Sequence, residues 1–443
     1  MERLKIAVVC IGDELLKGFT VNTNLTDMGK TLLQYGYVIN NAVVIPDIKE
    51  VIEENMRTLL KGGMDVIIFS GGLGPTVDDL TKPAIAEACG LKLVRNNKIA
   101  EDLESYWKHR GKKMPDTVMN QALVPEGADY FLNTVGTAPG LLIKPDLAKL
   151  ELNISTKKRS SVPPAVILLP GPPSELNPMF IKDVIPYIQS LSGYSRTYTN
   201  TIFVTGIPES VVEEKTLPLI RNSDFSIAYC ASPEAVKVYI SGNDKTQLAS
   251  KTQELRNILR EYALPDQIRN SVHALIDLCK KNRLTISVAE SCTGGLIAAA
   301  ITDIPGASEV FKGSIVSYSN EWKEKLLGVS EQTLEEFGAV SRECAEEMVV
   351  NLCNKYKTDV GISVTGIAGP GGGSPAKPIG LVYIGIQYPQ LKEAINNQEK
   401  SVNKTDVREF NFNGNRSRIR QRTLYTACSL LRTELKRVVK NIL

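Results

Sequence analysis

Residues 284–302 read LTISVAESCTGGLIAAAIT. An apolar, β-branched run is followed by a short polar turn with two glycines and then by an alanine-rich run, which predicts a strand, a turn and a helix. In α/β proteins such a turn lies at the carboxyl edge of the sheet, where ligands bind. Ser291 occupies this turn and is our candidate nucleophile. The alternative, that ESCTGG only caps the helix while Gly294 and Gly295 permit close packing, stays open on this stretch alone.

A serine nucleophile needs a base, and the chain contains only two histidines. His109 lies in the charged run YWKHRGKK and His273 in an amphipathic helical stretch, so we do not expect a serine–histidine–aspartate triad. A partly desolvated lysine, whose pKa falls, can serve as the base instead. Lys323 is the candidate because it ends SIVSYSNEWK (314–323), where a predicted strand runs into a helix. Lys312 and Lys325 lie nearby, and a solvated helix face is the alternative for any single lysine.

Two further segments are predicted to border the same pocket. DVGISVTG (359–366) runs into IAGPGGGSPAKPIG (367–380), whose glycines and prolines exclude a helix and leave backbone N–H groups to wrap a ligand or hold an oxyanion. A flexible surface turn is the alternative for this loop. FNFNGNRSRIRQR (410–422) leads into a helix with Arg416 and Arg420 four residues apart, hence on one face near its N-terminus. That placement favours a phosphate site.

The first part of the chain, residues 1–172, is predicted to be a separate α/β domain. Apolar runs (IAVVCIG, VIIFSGG, AVILLPG) alternate with helical stretches, which indicates a parallel sheet covered on both faces. Residues 147–164 (LAKLELNISTKKRSSVPP) interrupt this pattern with polar and basic sequence. We expect an exposed excursion or a disordered loop there.

The remainder is predicted to form two domains. Residues 173–262 contain a strand, a helix, a hairpin at 225–242 and a polar helix ending at Leu259, which is typical of a small α+β domain. EYALPDQ (261–267) is predicted to be a linker. Residues 266–443 form the last α/β domain, whose predicted strands are LTISVA, SIVSYS, VGISVTG and LVYIGIQ.

Three strand ends of the first domain carry polar residues. GGLGPTVDDLTKPAIAEACG (71–90) follows a predicted strand, and its glycines permit close backbone approach while Asp78 and Asp79 lie beside a helix N-terminus. This suits a phosphate bridged to carboxylates by a hard divalent cation. Helix capping is the alternative for these aspartates, at least for one of them. The other two strand ends present Asp13, Glu14, Asn22, Asn24, Ser174 and Glu175. Together they predict a nucleotide-sized pocket without a P-loop or a G-x-G-x-x-G motif.

The bulk composition excludes several classes of protein. A formal net charge of +3 in 443 residues is too even for a dedicated nucleic-acid binder. The eight cysteines show no C-x-x-C pair and no metal-ligand spacing, so we expect them to be reduced and mostly buried. No run of eighteen uncharged apolar residues occurs, so we expect no membrane association and a cytoplasmic location.

With these segments assembled, the sequence resembles the CinA family of competence/damage-inducible proteins over essentially its whole length. The resemblance is carried in the first domain by GDELLKG, NTN, GGLGPTVDDLT, MPDTVMNQALVPEGA, NTVGTAPG and LPGPPSEL. In the last domain it is carried by AESCTGG, YSNEWKEKLLGV, FGAVS, TGIAGPGGGSPAKPIG and GNRSRIR. So many motifs in the same order make coincidence improbable.

The resemblance implies a function for the last domain. In the family this domain is a nicotinamide-nucleotide amidase, which converts nicotinamide mononucleotide to nicotinate mononucleotide and ammonia without a cofactor. Ser291 would attack the carboxamide, Lys323 would be the base, and Tyr318 and Thr365 would support the nucleophile or the oxyanion. The implied substrate-binding residues of this domain are Cys292, Thr293, Gly294, Gly369, Arg416 and Arg420.

For the first domain the resemblance implies a fold like that of molybdopterin-binding proteins and metal-dependent cleavage of ADP-ribose to AMP and ribose 5-phosphate. The matching metal ligands for Mg, Mn or Co are Asp13, Glu14, Asp78 and Asp79. The matching substrate-binding residues are Asn22, Asn24, Gly71, Gly72, Gly74, Thr76, Thr81, Ser174 and Glu175. A pterin or nucleotide binding module without catalysis is the competing hypothesis for this domain.

The middle domain is similar to KH modules, but residues 173–262 contain no G-x-x-G loop of the kind that clamps a nucleic-acid backbone. We therefore expect this domain to connect and dimerise, giving a homodimer, and we expect no nucleic-acid partner. A DNA-interaction role is the third hypothesis, and it is weakened by the small net charge.

Overall fold

The computed structural model of the protein describes residues 3–147, 150, 163–191, 194–221, 223–389 and 403–440. The chain divides into two compact units, Met1–Thr199 with Gly242–Lys245, and Asn200–Ser241 with Thr246–Leu443. Most of the predicted excursion at 147–164, residues 148–149 and 151–162, lies outside the described residues. No helix of the described part is both long and apolar enough to cross a membrane.

The strands of the first unit are β1 Ile6–Ile11, β2 Ile39–Ile45, β3 Val66–Ser70, β4 Leu93–Arg95, β5 Leu123–Pro125, β6 Asp129–Phe131, β7 Gly140–Ile143 and β8 Ala165–Leu169. Its helices are α1 Asp13–Leu16, α2 Thr23–Gln34, α3 Lys49–Lys61, α4 Thr81–Ala88, α5 Asn97–His109, α6 Pro173–Met179 and α7 Ile185–Ser190. A 3-10 helix spans Asp116–Ala122, and a π-helical turn at Phe180–Val184 joins α6 to α7.

Six of these strands form one sheet in the order β2-β1-β3-β8-β7-β6. The first four run parallel, and β7 and β6 are added antiparallel at one edge. Successive side chains of β1 enter opposite cores: Val9 packs with Phe69 and Val166, whereas Val8 packs with Ile68 and Ile167. Because successive residues of a strand point to opposite faces, this confirms the predicted sheet buried on both sides.

The strands of the second unit are β9 Tyr198–Val204, β10 Ser226–Ala231, β11 Val236–Gly242, β12 Ile286–Glu290, β13 Phe311–Val316, β14 Val360–Gly366, β15 Leu381–Pro389 and β16 Asn403–Asn411. Its helices are α8 Glu209–Ile220, α9 Lys245–Leu259, α10 Ser271–Asn282, α11 Leu296–Thr302, α12 Asn320–Leu327, α13 Glu331–Glu336, α14 Arg342–Tyr356 and α15 Arg416–Lys440. A 3-10 turn spans Ala307–Glu309.

The second unit contains two sheets. β10, β11 and β9 form a three-stranded sheet in that order, and the antiparallel pairing of β10 with β11 confirms the predicted hairpin. The larger sheet has the order β13-β12-β14-β15-β16. Its first three strands are parallel and the last two antiparallel, so the carboxyl ends of β12, β13 and β14 meet at one edge. All four strands predicted for this domain are present, and β16 was not predicted.

The boundary expected after residue 172 falls inside the first unit. Leu176, Phe180 and Ile185, from the helical segments that follow it, are buried in the same core as Ile68 of the central strand β3. Pro173 begins the helix that follows residue 172, and this helix covers the sheet. The first unit therefore extends to Thr199.

Candidate functional site

The turn after β12 holds Ser291 at the edge where three parallel strands end. The amide of Ser291 donates to the carbonyl of Val364 on β14, 3.0 Å away, and the amide of Ser317 after β13 donates to the carbonyl of Glu290, 2.8 Å away. The helix α11 then begins at Leu296, as the sequence predicts. Ser291 is therefore fixed from both neighbouring strands and lies at the expected ligand-binding edge.

Glu290, the residue before the nucleophile, is a structural acid that the sequence did not identify. Its side chain is completely buried and accepts hydrogen bonds from the amides of Ile297 (3.1 Å) and Ala298 (2.9 Å) and from the hydroxyl of Ser314 (3.1 Å). A carboxylate facing a helix N-terminus satisfies amides that have no partner within the helix. Glu290 thus anchors α11 to the strand that carries Ser291.

Lys323 lies beside Ser291, as predicted. The hydroxyl of Ser319 accepts from the amide of Trp322 and caps α12, which directs Lys323 inward, where it is 1% exposed. Its Nζ lies 3.2 Å from Oγ of Ser291 and 2.9 Å from the carbonyl oxygen of Ser317. Burial disfavours the charged ammonium and lowers the Lys323 pKa from its usual 10.5. An amine with a lowered pKa, in contact with a hydroxyl, can accept its proton.

Neither histidine of the chain competes for this role. His109 is exposed at the end of α5, with Nδ1 2.7 Å from the carbonyl oxygen of Ser105. His273 is exposed in the first turn of α10. The hydrogen-bond partner of Ser291 is instead a lysine, in agreement with the prediction that no histidine triad forms.

The residues that follow Ser291 in the ESCTGG turn differ in their surroundings and in their hydrogen bonds. Cys292 is buried, and burial raises the pKa of its thiol to about 11, so it is a protonated packing residue rather than a nucleophile. The amide of Gly294 donates to the carbonyl of Ser291 at 3.0 Å, which removes it from the set of candidate oxyanion donors. Thr293 is fully buried, and its hydroxyl has no partner among the described residues.

The two predicted arginines join the loops around Ser291. Arg416 donates from Nη1 to the carbonyl of Gly369 (2.8 Å) and from Nη2 to the hydroxyl of Tyr318 (2.9 Å). Arg420 donates from Nη2 (2.6 Å) and Nε (3.2 Å) to the carbonyl of Thr293. Tyr318 is 60% exposed and lies at the rim. The structure thus brings the predicted residues of three loops and α15 into one connected group.

Thr365 is placed differently from the expected role. Its hydroxyl donates to the carbonyl of Ala339 at 2.6 Å, so it holds the turn before α14 rather than the Ser291 hydroxyl. Lys377, which the sequence did not single out, holds the same turn by donating to the carbonyls of Phe337 (2.7 Å) and Val340 (2.8 Å). The glycine-rich loop is therefore fastened to the body of the domain through its own lysine.

In the first unit, the side chain of Asn24 connects the ends of β3 and β8. Its Nδ2 donates to the hydroxyl of Ser70 (3.0 Å) and to the carbonyl of Gly171 (2.7 Å), while its Oδ1 is buried without a partner in the described part of the chain. Asn22 caps α2 by accepting from the amide of Leu25, and its Nδ2 is likewise buried and unpaired. One acceptor and one donor are thus left for a ligand.

The loop at 71–81 is held by its own side chains. The hydroxyl of Thr81 donates to the carbonyl of Gly71, and the backbone amide of Thr81 donates to the carbonyl of Gly72. Asp79 accepts from the amides of Gly74 (2.7 Å) and Thr76 (2.8 Å) and from the Thr76 hydroxyl (2.5 Å). Asp79 therefore holds the loop in place through both carboxylate oxygens, and its role as a metal ligand stays a prediction.

The other predicted carboxylates, Asp13, Glu14 and Asp78, interact with a further one, Asp47, which the sequence analysis did not identify. Asp47 follows β2, its Oδ2 accepts from the amide of Asp13 at 3.0 Å, and its pKa is raised by burial and by the charges of Glu14, Asp13 and Asp78. The pKa of Asp13 is lowered by its contact with Lys17. Hydrogen bonds from the Thr76 side chain and from the Asp78 backbone lower the pKa of Asp78.

The carboxylates of Asp13, Glu14, Asp47 and Asp78 form an acidic region whose negative charge suits a cation. Their side chains, however, are not arranged as a metal-binding group. Within the described ranges, no group of three or more His, Cys, Asp or Glu side chains is placed to hold a metal ion. The excess of negative charge around Asp47 is nevertheless the environment in which a hard cation is stabilised.

Ser174 and Glu175 lie at the start of α6, which follows the third of these strand ends, that of β8. Glu175 accepts from Nδ2 of Asn133 at 2.6 Å, and a side chain at Gly136 would collide with its carboxylate. Ser174 is exposed in the first turn of the helix. Glu175 therefore joins α6 to the NTVGTAPG segment, a contact that the sequence did not indicate.

The fold and the site together define a chain of two α/β units with a lysine-paired serine at one strand edge. Residues 7–190 match the probable molybdopterin binding domain, and residues 269–435 match the CinA C-terminal domain. A putative competence-damage inducible protein of Caldicellulosiruptor saccharolyticus is 39% identical over 432 residues, covering 96% of this chain and 98% of that protein. A CinA-like protein of Fervidobacterium nodosum is 38% identical over 434 residues, covering 97% and 98%.

Solved structures also match parts of the chain. The crystal structure of the competence/damage inducible protein CihA from Agrobacterium tumefaciens is 35% identical and covers 39% of this chain and 99% of its own, with a TM-score of 0.33. Because full-length relatives above 30% identity are matched end to end, the chain belongs to the CinA family of competence-damage inducible proteins.

Proposed function

We propose that the second unit hydrolyses the carboxamide of nicotinamide mononucleotide, giving nicotinate mononucleotide and ammonia. The observation that carries this proposal is the 3.2 Å separation between Nζ of Lys323 and Oγ of Ser291, with the lysine buried. A neutral lysine is a sufficiently strong base to activate a serine hydroxyl, and no histidine is required.

The reaction proceeds in two halves. Oγ of Ser291 attacks the carboxamide carbon while Nζ of Lys323 takes the hydroxyl proton, giving a tetrahedral oxyanion. The lysine then returns the proton to the amide nitrogen, the carbon–nitrogen bond breaks, and ammonia leaves an ester on Ser291. A water molecule attacks this ester with Lys323 again as base, and the acid product leaves as the serine is reprotonated.

The surrounding groups suit the charges that develop. With the amides of Ser291 and Gly294 already engaged, those of Cys292 and Thr293, together with the unpaired Thr293 hydroxyl, are the candidate oxyanion donors. Arg416 and Arg420, at the start of α15, supply charge-assisted donors for the substrate phosphate. The carbonyl of Ser317 orients the lysine toward Ser291.

The test is ammonia release from nicotinamide mononucleotide. Ser291→Ala and Lys323→Met should each reduce kcat by about a thousandfold or more, since the two residues act as a unit. The matched controls are Ser308→Ala, on an exposed turn, and Lys325→Met, an exposed lysine of the same helix, which should leave the rate unchanged. Normal ammonia release from Ser291→Ala would refute the serine mechanism.

For the first unit we propose metal-dependent hydrolysis of ADP-ribose to AMP and ribose 5-phosphate, with a divalent cation near Asp13, Glu14, Asp47 and Asp78. The raised pKa of Asp47 among Asp13, Glu14 and Asp78 supports a cation there. A divalent cation attracted by this negative charge would neutralise charge on the diphosphate. The unpaired amide groups of Asn22 and Asn24 offer one donor and one acceptor for a substrate group.

A melting-temperature measurement with Mn²⁺ tests the cation site without relying on activity. Mn²⁺ should raise the melting temperature of the wild type, and Asp47→Asn should abolish the rise, whereas Asp116→Asn, an exposed acid of the same unit, should not. AMP release from ADP-ribose is measured in parallel. Tight nucleotide or pterin binding without metal-stimulated turnover would favour the non-catalytic binding module instead.

A further inference from the structure

Arg432, in the second half of α15, is a buried charge without a counter-ion among the described residues. It is 2% exposed, and its Nη1 and Nη2 lie 3.3 Å and 3.4 Å from the carbonyl oxygens of Glu261 and Ala263. Among the described residues no carboxylate forms an ion pair with it, and burial alone lowers its pKa to about 10. A buried guanidinium held only by two long hydrogen bonds is expensive, which suggests that an anion completes its environment.

A surface cavity of about 690 Å³ adjoins this arginine within the second unit. Glu261 and Ala263, whose carbonyls accept from Arg432, both line it, so Arg432 lies directly behind its wall. We call this space the linker cavity, because residues 260, 261 and 263–265, between α9 and α10, form one side of it. It lies far along α15 from the arginines proposed to bind the substrate phosphate.

The lining of the linker cavity is basic. Arg256 comes from the last turn of α9, Arg260 directly follows that helix, and Lys436 lies one turn after Arg432 in α15. Glu261 is the sole acid among the described lining residues. Nε of Arg437 lies 3.9 Å from Oε2 of Glu261, so Arg437 offsets the charge of this glutamate. Arg256 is paired with Asp266 and Lys436 also has an interaction of its own, so Arg260 at the surface and Arg432 behind the wall are the cations that would attract an anion.

Arg260 also has an unusual backbone conformation. Its φ is 37°, in the left-handed region that favours glycine and asparagine. Arg256 meanwhile donates to the carbonyl of Leu264 at 2.8 Å and pairs with Asp266, which holds the linker against α9.

We propose that the linker cavity is a second ligand site that binds a phosphate-bearing anion. Guanidinium groups match phosphate oxygens with paired, charge-assisted hydrogen bonds, and a lysine adds a point charge. The volume accommodates a diphosphate or a small phosphorylated metabolite. Its negative charge would compensate Arg432 through the wall and fasten residues 260–265 to α15.

Isothermal titration of the full chain with inorganic pyrophosphate tests this site. The titration is performed on an Arg416→Ala, Arg420→Ala background, which removes the phosphate donors proposed for the amidase site. In that background, saturable binding should persist, and adding Arg260→Ala or Lys436→Ala should weaken it about tenfold or more. Both substitutions are at the surface of the cavity and spare the buried Arg432.

Lys215→Ala is the matched control, because it removes one exposed cation of α8 in the same unit. It should leave the pyrophosphate affinity unchanged. Absence of binding in the background variant, or equal binding by Arg260→Ala, Lys436→Ala and the control, would overturn the proposal. Ammonia release is measured separately, so neither result of the pyrophosphate titration decides whether the proposed amidase reaction is correct.

Discussion

Nη2 of Arg420 lies 2.6 Å from the carbonyl oxygen of Thr293, two residues after Ser291. The same guanidinium also donates from Nε to that oxygen at 3.2 Å. If Arg420 binds the substrate phosphate, phosphate recognition and the position of the nucleophile turn depend on one side chain. An arginine with five donors can serve both partners, whereas a lysine cannot reproduce its planar geometry.

Arg420→Lys should therefore lower kcat for nicotinamide mononucleotide about tenfold or more, in addition to raising KM, because the turn that positions Ser291 loses its brace. Steady-state kinetics of ammonia release measure both constants. Arg418→Lys is the control, since Arg418 is exposed on the same helix. A change in KM alone would show that Arg420 binds phosphate without positioning the turn.

The pH dependence of the amidase reaction should follow Lys323. Its pKa is lowered by burial, so the reactive neutral amine appears at a lower pH than for an ordinary lysine at 10.5. On the acid side, kcat/KM should rise about tenfold per pH unit and level off before pH 10.5. A rate that is independent of pH down to pH 5 would contradict a lysine base.

The same pKa shift makes a prediction for stability. Because the folded state binds fewer protons at Lys323 than the unfolded state, the penalty for burying the ammonium is largest below the folded pKa. It declines as pH rises toward 10.5. Lys323→Met, which lacks this penalty, should gain most in melting temperature relative to the wild type at neutral pH and progressively less above it. A constant difference between the two proteins across this range would contradict the assignment.

Glu290→Gln should destabilise the second unit and slow the reaction. One side of the glutamine would place an NH₂ group against the amide of Ile297, which also donates. We expect a loss of about 1–3 kcal/mol in the free energy of unfolding, measured by urea denaturation, and a lower kcat with little change in KM. Glu321→Gln, an exposed acid of α12, is the control. Unchanged kcat in Glu290→Gln would limit Glu290 to a purely structural role.

Cysteine alkylation separates the two possible nucleophiles of the turn. All eight cysteines are unpaired, and Cys230 is exposed whereas Cys292 is buried with a thiol pKa of about 11. Iodoacetamide at pH 8 should therefore modify Cys230 and leave both Cys292 and the ammonia-release activity intact, as peptide mass spectrometry would show. Rapid labelling of Cys292 would contradict the burial and the raised pKa of its thiol. Cys230→Ser controls for effects of surface labelling.

Much of this arrangement was predictable because its signals are local. The apolar run, polar turn and alanine-rich helix around Ser291 fix the strand edge, and the same pattern places Lys323 in a helix after the neighbouring strand. The lack of a suitable histidine then favoured lysine as the base. Parallel strands bring these two segments together, which a sequence pattern can anticipate.

The contacts that depend on side-chain direction were not predictable. Asp78 and Asp79 are neighbours in sequence, yet only Asp79 has both oxygens taken by the loop amides. Glu290 caps a helix that begins six residues later, outside the usual capping spacing. Thr365 matches a family motif, but the position of the Ala339 carbonyl decides where its hydroxyl points.

Helix α15 contains 25 residues and is therefore about 37 Å long. Arg420 contacts the nucleophile turn near the start of this helix, and Arg432, three turns further along, contacts the linker. Each residue inserted or deleted between them would rotate one arginine relative to the other by about 100°. During evolution this segment can accept exchanges at its exposed positions, but its length should be the same in every relative that retains both contacts.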